Sequence, residues 1–214
     1  MKATLLNPKV LHLEYDSKKD LNLAAFRISE YTEGNAKAKD QAFNVHDFLD
    51  SYLDEEGNLK YFSWFDGHNF SYKQWKQWFN MGEAMSPREQ ELLQVISESE
   101  IDKESGYIII TTEGDAITLR HELSHFYYQD SSEYKRKATE ILNSIPESGL
   151  KVYQDHLRAL NYGESVVPDE AIAYLVAFDV EEWAEICPNI HADAFKVQID
   201  QLGKLFDQYN KIKE

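Results

Sequence analysis

Tyr107-Ile108-Ile109-Ile110-Thr111-Thr112 is the strongest strand signal in the chain, and from Asp115 onward nearly every segment has helical spacing. Six consecutive β-branched or aromatic side chains favour extended backbone over helix. The change of period falls at Glu113-Gly114-Asp115, and it selects an α+β fold over an alternating α/β one. With 214 residues the chain is long enough to bury a core as one domain without a disulfide or metal to fold it. In that reading residues 1–114 form a small N-terminal mixed sheet with short helices, and residues 115–214 form the helical part.

Within the first part, Leu11, Leu13 and Tyr15 alternate with His12 and Glu14, and Phe26 and Ile28 alternate with Arg27 and Ser29. Both stretches read as half-buried strands. Ala42–Leu53 has helical spacing, and Leu59–Phe65 is a further strand candidate after Glu56-Gly57-Asn58. Ser71 is placed to cap a helix over Tyr72–Asn80. Ser86-Pro87-Arg88-Glu89 is a capping box with proline at the first helical position, opening a helix to about Ser97.

In the second part a helix is expected over about 115–129. Asp130-Ser131-Ser132-Glu133 reads as a second capping box, starting a helix that Pro146 stops. Further helices are expected over about 148–161, from Pro168, and from His191 to Lys211. Phe195, Ile199, Leu202, Phe206 and Tyr209 repeat at four and three on the last one, the pattern of a core or inter-helix seam. Tyr61, Phe62, Trp64, Phe65, Phe70, Tyr72, Trp75, Trp78 and Phe79 could line a substrate pocket, but at these spacings aromatic side chains more often build core.

Charge and cysteine usage exclude several classes. The formal net charge is −16, with no basic stripe to offset it, so nucleic acid is not an expected partner. Lys135-Arg136-Lys137 reads as a solvated helix face. The longest apolar runs, Tyr107–Ile110 and Ala171–Phe178, are too short to span a bilayer. Cys187 is the single cysteine, and the N-terminus has no apolar signal region. A reducing compartment, the cytoplasm, is the expectation.

The chemistry is concentrated in His121-Glu122-Leu123-Ser124-His125. On a helix, residues four apart lie about 40° apart around the axis, so both imidazoles project toward one point. Two neutral histidine nitrogens on one face suit a tetrahedral Zn2+ that keeps a position for water. Glu122, about 100° round, is placed to reach that water as a general base instead of joining the metal. Leu119, Leu123 and Phe126 form a core-facing stripe. Thr118, His121, His125 and Tyr128 form the stripe facing the site. Against this stands the plainer reading of an amphipathic helix with two polar histidines.

Over about residues 106–128 the sequence resembles the zincin metallopeptidases, in which a sheet with a substrate-lining edge strand precedes an H-E-x-x-H helix. It departs from the metzincin extension, since Tyr128 stands where glycine is required and Ser131 where the third histidine is required. The resemblance therefore points to the gluzincin branch, whose third ligand is a glutamate on a later helix. Glu170, in Pro168-Asp169-Glu170-Ala171-Ile172-Ala173-Tyr174, is the candidate. It lies in the first turn of a helix beside small residues that permit close packing. Acidic residues there also complement the helix dipole, which is the competing explanation. Glu140, Glu147 and Glu164 are the alternatives. Asp169 or a backbone carbonyl would hold a ligating histidine. Tyr174 is the first candidate for a donor to a developing oxyanion, ahead of Tyr128 and Tyr162. His12, His46, His68, His156 and His191 are expected to be structural or on the surface.

The resemblance implies a zinc-dependent peptidase acting on a peptide or protein, with Gly106–Thr112 binding the extended substrate by strand addition. Two other readings remain. One is a peptidase-like zinc module that regulates through a protein partner; the other is a metal-free helical interaction protein that uses its last helix as the contact face. Oligomeric state is left open.

Overall fold

The computed structural model describes residues 1–33, 65–82, 84–160, 162–186 and 192–210. The chain divides into two compact units, Met1–Asp115 and Ala116–Glu214, and the fold is α+β.

Among the described residues, the first unit is built on a four-stranded mixed sheet. Strands β1 (Lys2–Asn7), β2 (Val10–Tyr15), β3 (Gly67–Ser71) and β4 (Tyr107–Thr112) lie in the order β1-β2-β4-β3. β1 pairs antiparallel with β2, β2 parallel with β4, and β4 antiparallel with β3. The strongest strand is thus an inner strand with partners on both sides. This corrects the expectation that Gly106–Thr112 is an edge free to take up a peptide, because its backbone donors and acceptors are already spent on β2 and β3. Its burial agrees: Ile108, Ile109 and Ile110 are fully enclosed, as an uninterrupted apolar run implies for a strand covered on both faces.

One face of this sheet packs on helices α1 (Lys18–Glu33), α2 (Tyr72–Phe79) and α3 (Pro87–Glu98). Leu11, Leu13, Tyr15, Phe70, Ile108 and Ile110 meet Leu21, Ala24, Ala25 and Ile28 of α1, Trp75 and Trp78 of α2, and Leu92 and Ile96 of α3. The segment around Phe26 and Ile28 is therefore helical, correcting the strand expected there. Leu21, Ala24, Ala25 and Ile28 repeat at three, four and seven, which is a helical stripe. Ser17 caps the helix, its Oγ accepting from the Asp20 N–H at 3.2 Å. The Phe26–Ser29 alternation is local noise beside that longer pattern. Arg27 lies among these apolar groups and donates to both oxygens of Glu89, at 2.6 and 2.7 Å. Glu89 also closes the capping box of α3 by accepting from the Ser86 N–H. The Ser71 cap of α2 forms as expected.

Phe70, Tyr72, Trp75 and Trp78 are buried, so these aromatic residues are core, whereas Phe65 and Phe79 are partly exposed. Tyr61, Phe62 and Trp64, the Ala42–Leu53 helix, His46, and the Leu59–Phe65 strand apart from Phe65 lie outside the described residues. β1 and β3 carry too few strongly β-favouring side chains to have been read from sequence.

The second unit is helical: α4 (Ala116–Asp130), α5 (Ser132–Asn143), α6 (Glu147–Ala159), α7 (Val167–Ala177), α8 (Val180–Ile186), a 3-10 turn (Ala192–Phe195) and α9 (Lys196–Tyr209). Helix α7 is its centre, packed against α4, α5, α6 and α9. Eight of its eleven residues are buried, so it is apolar around most of its circumference, as a central helix must be. Ser131, one residue later than expected, caps α5 by accepting from the Tyr134 N–H. On α9 the stripe is core: Phe195, Ile199, Leu202 and Phe206 are buried. No described helix is long and apolar enough to cross a membrane.

Candidate metal centre

Helix α4 presents its site residues as the four-residue spacing requires. The His121 and His125 rings meet edge to face, with centroids 4.8 Å apart, and their Nε2 atoms are 3.1 Å apart. The other side of α4 anchors it. Leu123, Phe126 and Tyr127 are buried, and Arg120 donates to the Val176 carbonyl of α7 at 2.7 Å. The Arg120 guanidinium also pairs with Asp207 at 3.0 Å and lies 4.4 Å from the centre of the Phe206 ring. These contacts tie the site helix to α7 and α9.

Opposite the histidines stands the first turn of α7. Glu170 Oε2 lies 3.5 Å from His121 Nε2, and Oε1 lies 3.6 Å from His125 Nε2. The carboxylate is buried on the most apolar helix of the unit. Dipole complementation at a solvated helix start does not require this, since burial of a charge costs several kcal/mol unless it is compensated. Ala171 and Ala173, both fully buried, leave α7 the small surface that permits close approach. The Ala171 carbonyl accepts from Tyr153 Oη at 2.9 Å.

Behind His125, Asp169 Oδ1 lies 3.0 Å from Nδ1. Burial alone would lower the His125 pKa. The charges of Asp169 and Glu170, the close approach of the Asp169 carboxylate and the charge of Glu122 outweigh it and hold the imidazole well above its ordinary value. Glu170 shows the converse: burial favours its neutral form, but His125, His121 and a hydrogen bond from Tyr162 keep its pKa below the usual carboxylate value. Glu122 is buried on α4, near enough to influence both His125 and Tyr162.

Among the described residues, His121, His125 and Glu170 are the one group able to hold a metal ion, their ligand atoms all within 4.8 Å of one another. The donor set fits zinc. Bonds of about 2.0–2.1 Å at tetrahedral angles put neighbouring ligand atoms about 3.3–3.5 Å apart; the two Nε2 atoms are 3.1 Å apart, and Glu170 sets a different oxygen near each, Oε2 at 3.5 Å from His121 and Oε1 at 3.6 Å from His125. Glu170 Oε2 and Asp169 Oδ1 are also buried without a hydrogen bond of normal geometry, a condition that a bound cation or a water would relieve.

Tyr174, one turn beyond Glu170, sets its ring edge-on to His121 at 4.8 Å. Its hydroxyl meets that of Tyr162 at 3.1 Å. The other candidates lie elsewhere. Tyr128 is covered by the Lys135 ammonium, 4.5 Å from its ring centre. Glu140 pairs with Arg136 and Glu164 with Arg158 on the surface, and Glu147 begins α6 as an exposed residue. His12 and His68 are buried in the first unit, His156 is half-buried on α6, and His191 lies outside the described residues. Arg120 carried no signal in the sequence that would have marked it as the anchor of the site helix.

No protein-family model matches the chain, and neither a curated protein nor a solved structure matches it.

Proposed function

We propose that the chain is a zinc-dependent peptidase of the gluzincin kind, acting on a peptide or protein. The observation that carries this reading is the buried Glu170 carboxylate facing the two imidazoles of an H-E-x-x-H helix. His121, His125 and Glu170 would hold the ion. When bound, zinc would supply Lewis acidity toward the scissile carbonyl and toward the attacking water.

The chain's own groups take the remaining roles. Asp169, at Nδ1 of His125, holds that ring so that Nε2 faces the site. Glu122 accepts a proton from the attacking water and returns it to the leaving amine nitrogen. Burial keeps its carboxylate from being solvated away from this task. Tyr174, flanking His121, donates its hydroxyl to the carbonyl oxygen as negative charge develops there.

Glu122→Gln tests the assignment. The variant should keep its zinc and lose at least about a hundredfold in hydrolysis of any peptide the unaltered protein cleaves, the lower range for losing a general base. Equal turnover in the two proteins would remove Glu122 from the reaction.

A further inference from the structure

Polar contacts join α4 to α7 at two places. At one, Asp169 and Glu170 in the first turn of α7 stand against His125 and His121. At the other, Arg120 Nε donates to the Val176 carbonyl in the last turn of α7 at 2.7 Å. Arg120 precedes His125 by five residues and Val176 follows Glu170 by six. The two helices therefore run antiparallel between these points, which lie about 7.5–9 Å apart along the axes.

The apolar contacts of α7 do not choose this alignment by themselves. Burial of apolar surface is non-directional, and Ala171, Ala173 and Ala177, all buried, offer little to resist sliding. The Arg120 bond has a direction. Carbonyls in the last turn of a helix have no N–H of their own helix to accept from, and Val176 is one residue from the end of α7. The donor is itself held from α9, where Asp207 Oδ1 accepts from Nη1 at 3.0 Å and the Phe206 ring centre lies 4.4 Å from the guanidinium.

We infer that Arg120 is a positioning residue for the metal site: its bond to Val176 sets the axial register of α7 against α4 and so brings Glu170 opposite His121 and His125. A slide of one turn, about 5.4 Å, would put Val166 or Tyr174 at that level, and neither supplies a carboxylate. The positive charge of Arg120 works against a nearby cation, so its contribution is the bond and not the charge.

This inference rests on the metal-site reading above, and its test reads metal binding without activity. Glutamine carries an amide nitrogen where arginine has Nε, and methionine carries a methyl carbon there, so the two neutral variants differ in that donor. Zinc affinity would be measured by chelator competition, with the cobalt(II) absorption spectrum, for the unaltered protein, Arg120→Gln, Arg120→Met and Asp207→Asn. Arg120→Gln and Asp207→Asn should stay within a few-fold of the unaltered protein. Arg120→Met should bind zinc about ten- to one-hundredfold more weakly, the range for a hydrogen bond to a charged donor, with a shifted cobalt spectrum. That penalty should vanish in a Glu170→Ala background, which a general loss of fold stability would not produce.

Equal affinity and spectrum in Arg120→Met and Arg120→Gln would overturn the inference, as would a penalty that persists in Glu170→Ala. A tenfold or greater loss in Arg120→Gln or Asp207→Asn would also overturn it, and these two arms stand whether or not Arg120→Met folds. An unaltered protein that binds no zinc overturns the metal reading and this inference with it. The expected zinc affinities in a protein without peptidase activity leave Arg120 in its role and remove only the peptidase assignment.

Discussion

Asp169 Oδ1 lies 3.0 Å from His125 Nδ1, which leaves Nε2 as the ring nitrogen that faces His121 and Glu170. Adjacent residues on one helix thus face different nitrogens of one ring: Asp169 stands at Nδ1 of His125 and Glu170 at its Nε2. Asp169→Asn should cost about ten- to one-hundredfold in zinc affinity while retaining one ion per chain at saturating metal. An affinity equal to that of the unaltered protein, measured by chelator competition, would show that Asp169 does not orient His125.

The histidines themselves should be indispensable. A site with three protein ligands is a single-metal design, so the purified protein is expected to carry about one zinc per chain by elemental analysis. His121→Ala and His125→Ala should each abolish it. Full zinc content in both variants would place the metal elsewhere.

Glu170→Ala should weaken zinc binding by orders of magnitude, because a chelate of three ligands becomes one of two. Glu140→Ala, Glu147→Ala and Glu164→Ala should leave it intact, since Glu140 and Glu164 sit in surface ion pairs and Glu147 at an exposed helix start. Binding lost in one of these three and kept in Glu170→Ala would reassign the ligand.

A separate prediction concerns His68 in the first unit. Asn22 donates through Nδ2 to the carbonyls of Lys18 and Phe65, so its Oδ1 is an acceptor and His68 Nε2 donates to it at 3.0 Å. Nδ1 then accepts from Ser29 Oγ at 2.8 Å, and the ring is neutral. Burial pushes its pKa down from 6.5 to about 3. A base whose folded pKa lies below its unfolded one contributes stability above the unfolded value and loses it on acidification. Between pH 6.5 and about 3 the fold should lose about 1.4 kcal/mol per pH unit from this group. Urea unfolding of the unaltered protein and His68→Asn at pH 7, 5.5 and 4.5 reads the effect. The stability gap between them should shrink as the pH falls, and parallel curves would place the acid sensitivity elsewhere.

Much of the local structure was legible from the chain because it is decided within a few residues. Serine caps at Ser71 and Ser86 act on a backbone N–H three residues away. The convergence of His121 and His125 follows from helical periodicity alone. The strand at 107–112 was clear from its side chains, but not its place in the sheet. Whether a strand is inner or edge depends on partners far away in sequence, here β2 and β3. Likewise the helix over Lys18–Glu33 was masked by a short alternation whose meaning depended on which side the core lay.

The site divides in the same way. Angular position on α4 was determined by sequence, since each residue turns the chain by a fixed angle. That Glu170 meets the histidines and that Asp169 meets the ring behind them were decided by tertiary structure. Each is a meeting between segments some 40 residues apart, and each depends on α7 packing against α4. No local pattern encodes that approach, because it is set by the volumes of all the side chains that pack α7 into the centre of the unit.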